Sequence, residues 1–566
     1  MKWIVPATTL LAGVAIAFWY IHRPLPRPRI SKYTQLTFDG LGKGAAGIDG
    51  SRLYFSLDYV NGIRQMSMSG GVSEPVPIEV PKAYLYPGGI SPDGSSWLVF
   101  SQVRSPERPV SIVHEPGGAV RYLTDAISAI WSPDGKSVAY STGDGNINLI
   151  QSDGTGARTL AVVGSEVGWL SWSPDGKTIR FVKDGRPWEM SSDGSNVHEL
   201  LHNWGPSYST CCGLWTEDGE FFIFGADPRG LPGNNLNELW ALDERHVWFG
   251  KPSSEPVRLT SPGPFRWGNP LPSKDGKKIF ADGFVDRGEL VRFYVKSGKF
   301  EPFLGDAESV DFSRDGKSVA YVSYPGGILW KANVDGSNPV QLTQPPIYPV
   351  QPRWSPDGAQ LVFMTASTSA PSKVYVVSSE GGSPRLLFAE GNGEQDFPYW
   401  SPDGRRVAFS RTPDSLRGAH GNLAGIIYIL DLATNHVGIL AGSEGFWAPR
   451  WSADGRFIEA ESDDAHRLKI FDLVTQRAWV LGTGMEADWH AWSRNGRFIY
   501  FLSVEGNPGI FRITTQGGKP EMVVDLKGFR STGTFGWYFT LDPTDAPLVL
   551  HFNGHDDLYA LTFEKK

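Results

Sequence analysis

Apolar and polar residues alternate in short runs along most of this chain. "SVAY" (Ser137 to Tyr140), "TIRF" (Thr178 to Phe181) and "RVAF" (Arg406 to Phe409) keep a period near two, the pattern of a strand with one face in a core and the other turned away. Each run follows a near-constant turn, "WSPDG" or a variant. Proline presets φ, the aspartate side chain bonds nearby backbone N–H groups, and glycine accepts positive φ. A further strand comes next, as in "KVYVVSS" (Lys373 to Ser379) or "IIYILDL" (Ile426 to Leu432). A last one ends in "LT", as in "RYLT" (Arg121 to Thr124) and "VQLT" (Val340 to Thr343).

The unit repeats. The turn aspartate falls at Asp49, Asp93, Asp134, Asp175, Asp218, Asp275, Asp315, Asp357, Asp403 and Asp454; Asn495 fills the slot once, and Asp542 to Asp545 form a degenerate last copy. The spacing, about 40 to 57 residues, is that of a four-stranded propeller blade. The expected fold is therefore all-β: tandem β-propellers of about twelve blades, six plus six, because single rings usually hold fewer. The expected boundary lies near Gly305, giving a first propeller over 33–305 and a second over 306–566. "YTQLT" (Tyr33 to Thr37) is a spare fourth strand, and the last copy lacks one. It is expected to pair around Asp557 to Leu561 and complete the last blade of the second propeller, removing two free edges. The repeated tryptophans Trp131, Trp172, Trp354, Trp400, Trp451 and Trp492 read as packing between blades, and the turn aspartates as turn residues rather than calcium ligands.

The first residues break the pattern. Ile4 to Ile21 is apolar and uncharged, and at 1.5 Å per residue it spans about 27 Å as a helix, enough for a hydrocarbon core. Phe18, Trp19 and Tyr20 stand at its end as an interfacial belt would. A cleaved signal peptide is the rival reading, with Ala15-Ile16-Ala17 as the cleavage site, and a buried helix a third. The reading adopted is a membrane anchor over 4–21, preceded by a cytoplasmic 1–3 and followed by a Pro/Arg-rich linker over 22–32, with the propellers on the periplasmic side. Arg23, Arg27 and Arg29 outnumber Lys2 and argue for the opposite orientation.

Net charge is −8, and no long Lys/Arg run suggests a nucleic-acid surface. The two cysteines, Cys211 and Cys212, are adjacent. They read either as a vicinal disulfide or as two reduced apolar residues.

"WSPDGK" followed by "SVAY", a strand and "LT" resembles the WD40-like PD40 repeat of TolB and of the N-terminal propeller in the dipeptidyl-peptidase IV class. The opening "KYTQLTFDG", after an apolar segment, is also similar to the extracytoplasmic half of membrane-bound CadC-type winged-helix regulators. The winged helix has no counterpart in this sequence, so no transcriptional role follows.

A peptidase of the resembling class needs G-x-S-x-G, which does not occur. Nor do H-E-x-x-H, C-x-x-C or a Walker A motif. No catalytic residue, cofactor or metal ligand is assigned; His551 and His555 are four apart, but Gly554 between them suggests a turn. In a propeller the residues before each blade's first strand border the channel mouth. In the second half these are Tyr348, Asp396, Phe397, Trp447, Asp488, Trp489 and His490, a candidate rim for a peptide or glycan that also reads as inter-blade packing. Trp204 and Tyr208 occupy a similar loop in the first half. The expected function is non-enzymatic: binding or sensing a protein, peptide or envelope polymer. The alternative is a propeller enzyme of lyase or lactonase type, with channel-mouth carboxylates and His490 as acid and base.

Overall fold

The computed structural model describes residues 26–57, 62–101, 107–114, 117–202, 204, 209–227, 238–245, 255–261, 265–365, 371–388, 393–411, 425–531 and 536–565. The apolar stretch 4–21, the first four residues of the Pro/Arg-rich linker (22–25) and Tyr208 lie outside them. Among the described residues no helix is long and apolar enough to cross a membrane.

The regular structure described is all strand, in twelve four-stranded antiparallel sheets. Ten sheets are built from four consecutive strands and two are composite. The chain divides into two compact units. The described residues before Asp286, together with those from His555 onward, form unit 1; Asp286–Gly554 form unit 2. Each unit holds six sheets, an arrangement consistent with tandem β-propellers.

The turn between the first two strands works as the sequence suggests. Ser132 Oγ donates to the Asp134 carboxylate at 2.6 Å, the Lys136 N–H donates to the same oxygen at 3.1 Å, and the Ser137 N–H closes back on Ser132 Oγ at 3.0 Å. Gly135 takes φ 69°. The same contacts recur at Asp175, Asp315, Asp357, Asp403 and Asp454, and Asn495 substitutes in kind. These donors hold the aspartates below the ordinary carboxylate range.

The motif tryptophans join neighbouring sheets. Trp131, Trp354, Trp400 and Trp451 are buried. Three indole N–H groups reach backbone carbonyls of the preceding blade: Trp131 to Gly89 at 3.2 Å, Trp400 to Arg353 at 3.2 Å and Trp492 to Arg450 at 3.1 Å. They are packing residues with a directional tie.

Ring closure differs from the expectation in one respect. The N-terminal strand does pair where proposed, Tyr33 opposite Leu561. The sheet it completes, however, is that of Asp275: Arg29–Gln35, His555–Glu564, Lys278–Val285 and Arg266–Pro272, in that order. The strand thus closes unit 1, not the second propeller. The Gly305 boundary is likewise displaced, because Lys299–Gly305 pairs with Gly288–Tyr294, which pairs with Pro547–Phe552 in unit 2. The sequence count of one strand per end hid a double exchange. Val285 pairs with His555 in unit 1, while Gly288 pairs with Phe552 in unit 2, so unit 2 is inserted into the last blade of unit 1.

Polar groups lock this seam. The Asp557 carboxylate accepts from Thr37 Oγ1 at 2.8 Å, Gln35 Nε2 at 3.1 Å and the Gly40 N–H at 3.4 Å, while Thr37 Oγ1 accepts the Leu558 N–H at 3.0 Å. Lys43, only 2% exposed, bonds Asp39 and donates to the Leu41 carbonyl at 2.7 Å. Asp282 accepts the Ala45 N–H of the first blade at 2.8 Å and Asn269 Nδ2 at 2.9 Å.

Thr37→Val removes a buried hydroxyl that both donates and accepts, at a cost of about 2 kcal/mol. Calorimetry is expected to show the unit 1 transition about 5 °C lower and the unit 2 transition unchanged. Asp282 supplies a pH test. Burial raises its carboxyl to about 7, against donors that lower it. The folded state then holds a proton that the unfolded chain releases near 3.8, so the contribution of Asp282 to stability falls as pH rises from about 4 to about 7 and stays lost above. Asp282→Asn is expected to flatten that fall, so that its unit 1 melting temperature gains on the wild type more at pH 8 than at pH 5, with the Asn269 amide turning its oxygen to the new donor.

Candidate functional site

The inner strands of unit 2 share a distortion. In five successive blades the ladder skips two residues: between Glu308 and Asp311, Val350 and Arg353, Asp396 and Tyr399, Trp447 and Arg450, and Asp488 and Ala491. The first skipped residue is left-handed each time: Ser309, Gln351, Phe397, Ala448 and Trp489 have φ of 51° to 53°. That conformation is costly for residues with a side chain. A bulge uses it to re-aim the side chains beyond. The second skipped residue is proline in three blades, Pro352, Pro398 and Pro449, which suits a position without a ladder bond.

The ladder resumes with Asp311, Arg353, Tyr399 and Arg450, one equivalent position in four blades, and these side chains meet. Arg353 Nη1 lies 3.9 Å from Asp311, while its Nη2 donates to Gln351 Oε1 at 3.0 Å. The Arg353 and Arg450 guanidiniums each sit 5.5 Å from the centre of the Tyr399 ring. Glu459 stands opposite Arg450 on the neighbouring strand and carries the arc on. Its carboxylate meets His490 Nδ1 at 2.6 Å, and His490 Nε2 lies 3.6 Å from Glu461. Asp488 bonds Glu461 in turn.

Arg353, Arg450, Glu459, Glu461 and His490 are all buried. Burial, then the neighbouring Asp488 and Glu459, push Glu461 well above the ordinary range and favour its neutral form. Burial, together with the like charge of Arg353, brings Arg450 down to about 10. Burial raises Asp311 against the pull of Arg353. Arg450 Nη1 and Arg353 Nε have no hydrogen-bond acceptor on the protein.

The expected rim separates into two groups. Phe397 packs edge-on to Trp447 at 4.9 Å, and Asp396 bonds Ser372, with burial raising its carboxyl to about 6. Trp489 packs against Tyr538 at 5.2 Å, next to Asp488 and His490 in the arc. Tyr348 is half-buried, just before the strand that opens at Pro349. Arg353, Tyr399 and Arg450 were not anticipated. Their signal is the recurrent P-x-W of "QPRW", "FPYW" and "APRW", in which the residue before each packing tryptophan is polar. Glu459 and Glu461 were signalled by "FIEAES", where other blades carry "SVAYST" or "RVAFSR".

In unit 1 the same bulge places Trp169 at φ 55° and Cys212 at φ 50°. Cys211 and Cys212 are joined in a disulfide. Trp204 packs against Trp240 at 5.0 Å, inside a sheet interface. His551 packs on Phe529 at 5.0 Å. Among the described residues no three His, Cys, Asp or Glu side chains are grouped for a metal.

No protein-family model matches the chain. An uncharacterized protein of Agrobacterium fabrum, Atu1656, is 26% identical over 262 residues, 43% of this chain and 83% of that protein. An uncharacterized peptidase of Bacillus subtilis, YuxL, is 33% identical over 106 residues, which span 17% of this chain and only 16% of the peptidase. Among solved structures, a TolB-type protein from Agrobacterium tumefaciens is 19% identical with a TM-score of 0.39, covering 47% of this chain and 98% of that one. The tricorn protease is 14% identical with a TM-score of 0.32, covering 84% of this chain and 49% of that one.

Proposed function

We propose that the chain is a binding module, held at the membrane by residues 4–21 and exposed on the periplasmic side, whose unit 2 arc takes an anionic group of a peptide or envelope polymer. The observation that carries this reading is the pair Arg353 and Arg450. Two like charges flank one tyrosine ring, and each keeps a buried N–H donor without an acceptor. A carboxylate seated between them would satisfy both donors and relieve the repulsion. Phe397, Trp447 and Trp489, on the same inner strands, offer apolar ring surface for the remainder of the ligand.

The test is calorimetric titration of an oligoglutamate peptide and of an acidic oligosaccharide into the wild type and into Arg450→Met. The substitution relieves the repulsion with Arg353 but leaves Glu459 and Glu461 with one neighbouring cation fewer, so the unit 2 melting temperature is expected to fall and binding is compared well below it. Affinity for at least one of the two anions is expected to fall about tenfold or more, the value of a charged hydrogen bond. Absence of binding of either anion to the wild type, or equal binding to both proteins, would overturn the proposal. Protease protection in intact cells that is lost in spheroplasts checks the membrane placement; protection that persists in spheroplasts would reverse it.

A second reading is favoured by His490 held between Glu459 and Glu461, an arrangement able to move a proton in a lyase- or lactonase-type reaction. Turnover of the acidic oligosaccharide, abolished in His490→Asn, would select this reading over simple binding.

A further inference from the structure

Unit 1 contains a cavity of about 230 Å³ formed where the inner strands of successive blades converge. Tyr86, Trp169 and Leu214 line it with Cys212 of the disulfide; Arg108 and Glu166 also border it. Tyr86 and Trp169 meet edge to face, 5.5 Å apart at 78°. The Arg108 guanidinium is fixed by donating to the Tyr86 hydroxyl at 2.6 Å, while its buried Nε has no acceptor on the protein. Cys212 is 3% exposed, and two consecutive blades spend a left-handed residue here, Trp169 and Cys212.

The chemistry of the walls narrows the ligand. Two aromatic rings and a cystine give an apolar cleft for one flat-faced ring. Arg108 only donates hydrogen bonds and the Glu166 carboxyl oxygens accept them, so the ligand is matched by a group that does both. A hydroxyl does both; a carboxylate would meet Arg108 but be repelled by Glu166. The volume lies below the ~300 to 1,000 Å³ of pockets that enclose a whole small ligand, which suits a single ring with the rest of its chain outside. We propose that this cavity is a second ligand site, which takes one neutral pyranose ring of a glycan. Its apolar face lies on Trp169 with Tyr86 against its edge, and its hydroxyls bridge Arg108 and Glu166. The site is independent of the anion site proposed in unit 2.

The test uses the full chain in nanodiscs, which avoids sugar-based detergents. Maltotriose, cellotriose and chitotriose are titrated by calorimetry and by tryptophan fluorescence. At least one neutral trisaccharide is expected to bind and to perturb the fluorescence. Trp169→Gly keeps a residue suited to positive φ and removes the ring, and Glu166→Gln changes an exposed rim group; each is expected to weaken binding about tenfold without lowering the unit 1 melting temperature. Reduction of the disulfide is expected to weaken it as well. Arg450→Met is expected to bind the trisaccharide as the wild type does, so failure here and failure of the anion site are read separately. No binding of any of the three sugars, or binding that Trp169→Gly leaves unchanged, would overturn the proposal. Should Trp169→Gly unfold unit 1, Glu166→Gln alone decides.

Discussion

A four-stranded sheet with apolar residues on both faces cannot stand by itself, and every other property of this chain follows from that constraint. Stacking such sheets buries both faces, as Phe55, Phe181, Phe280, Phe363, Phe409 and Phe501 show by their near-complete burial. Stacking does not end until the last sheet meets the first, so the decisive interactions are those across the closing seam. There the apolar contribution is the same as elsewhere, and the difference is made by charged and hydroxyl groups around Asp557, Lys43 and Asp282. A buried polar network stabilises little when complete and costs much when broken. It therefore acts as a check on register: one strand alone satisfies it.

The inner strands carry the opposite compromise. They surrender ladder bonds and adopt left-handed backbone in order to bring side chains from different blades together. The repeat makes the gain multiplicative, because one bulge position, filled differently in each blade, generates an arc of Asp, Arg, Tyr and Arg. The same device in unit 1 brings a tryptophan and a cystine to one cavity. Scaffold and site are thus written in the same repeat, separated by one or two residues.

This explains what was legible in the sequence. The turn residues are fixed by backbone geometry in every copy, so Ser132, Asp134 and Gly135 and their equivalents announce the blade and count it correctly. The pairing of Tyr33 with Leu561 was legible because both ends were incomplete. Which ring they complete was not, since a half-blade before Asp286 and another over Gly288–Gly305 look alike without knowledge of their partners. The arc was half legible. Asp488, Trp489 and His490 were expected just before a blade's first strand; they lie within it, and Asp488 and His490 reach the arc from there. Arg353, Tyr399 and Arg450 sit next to the motif tryptophan, on the opposite face of the strand; the bulge that precedes them sets where that face points, and a period of two does not encode it.

The insertion of unit 2 into the last blade of unit 1 sets an order of events during synthesis. Thr37 and Asp557 are 520 residues apart, and closing a loop of that length costs only about 2 kcal/mol more than closing one blade. Equilibrium is barely affected, whereas timing is. The ribosome delivers five and a half blades of unit 1, then all of unit 2, and only then the strand that lets the first ring shut. At ordinary elongation rates the interval is roughly 15 to 55 s. Through it Lys278–Val285 offers an unpaired edge of the kind that other chains capture. The ring that begins first finishes last, and its unfinished edge is the natural point for a chaperone, or for aggregation, to act on the nascent protein.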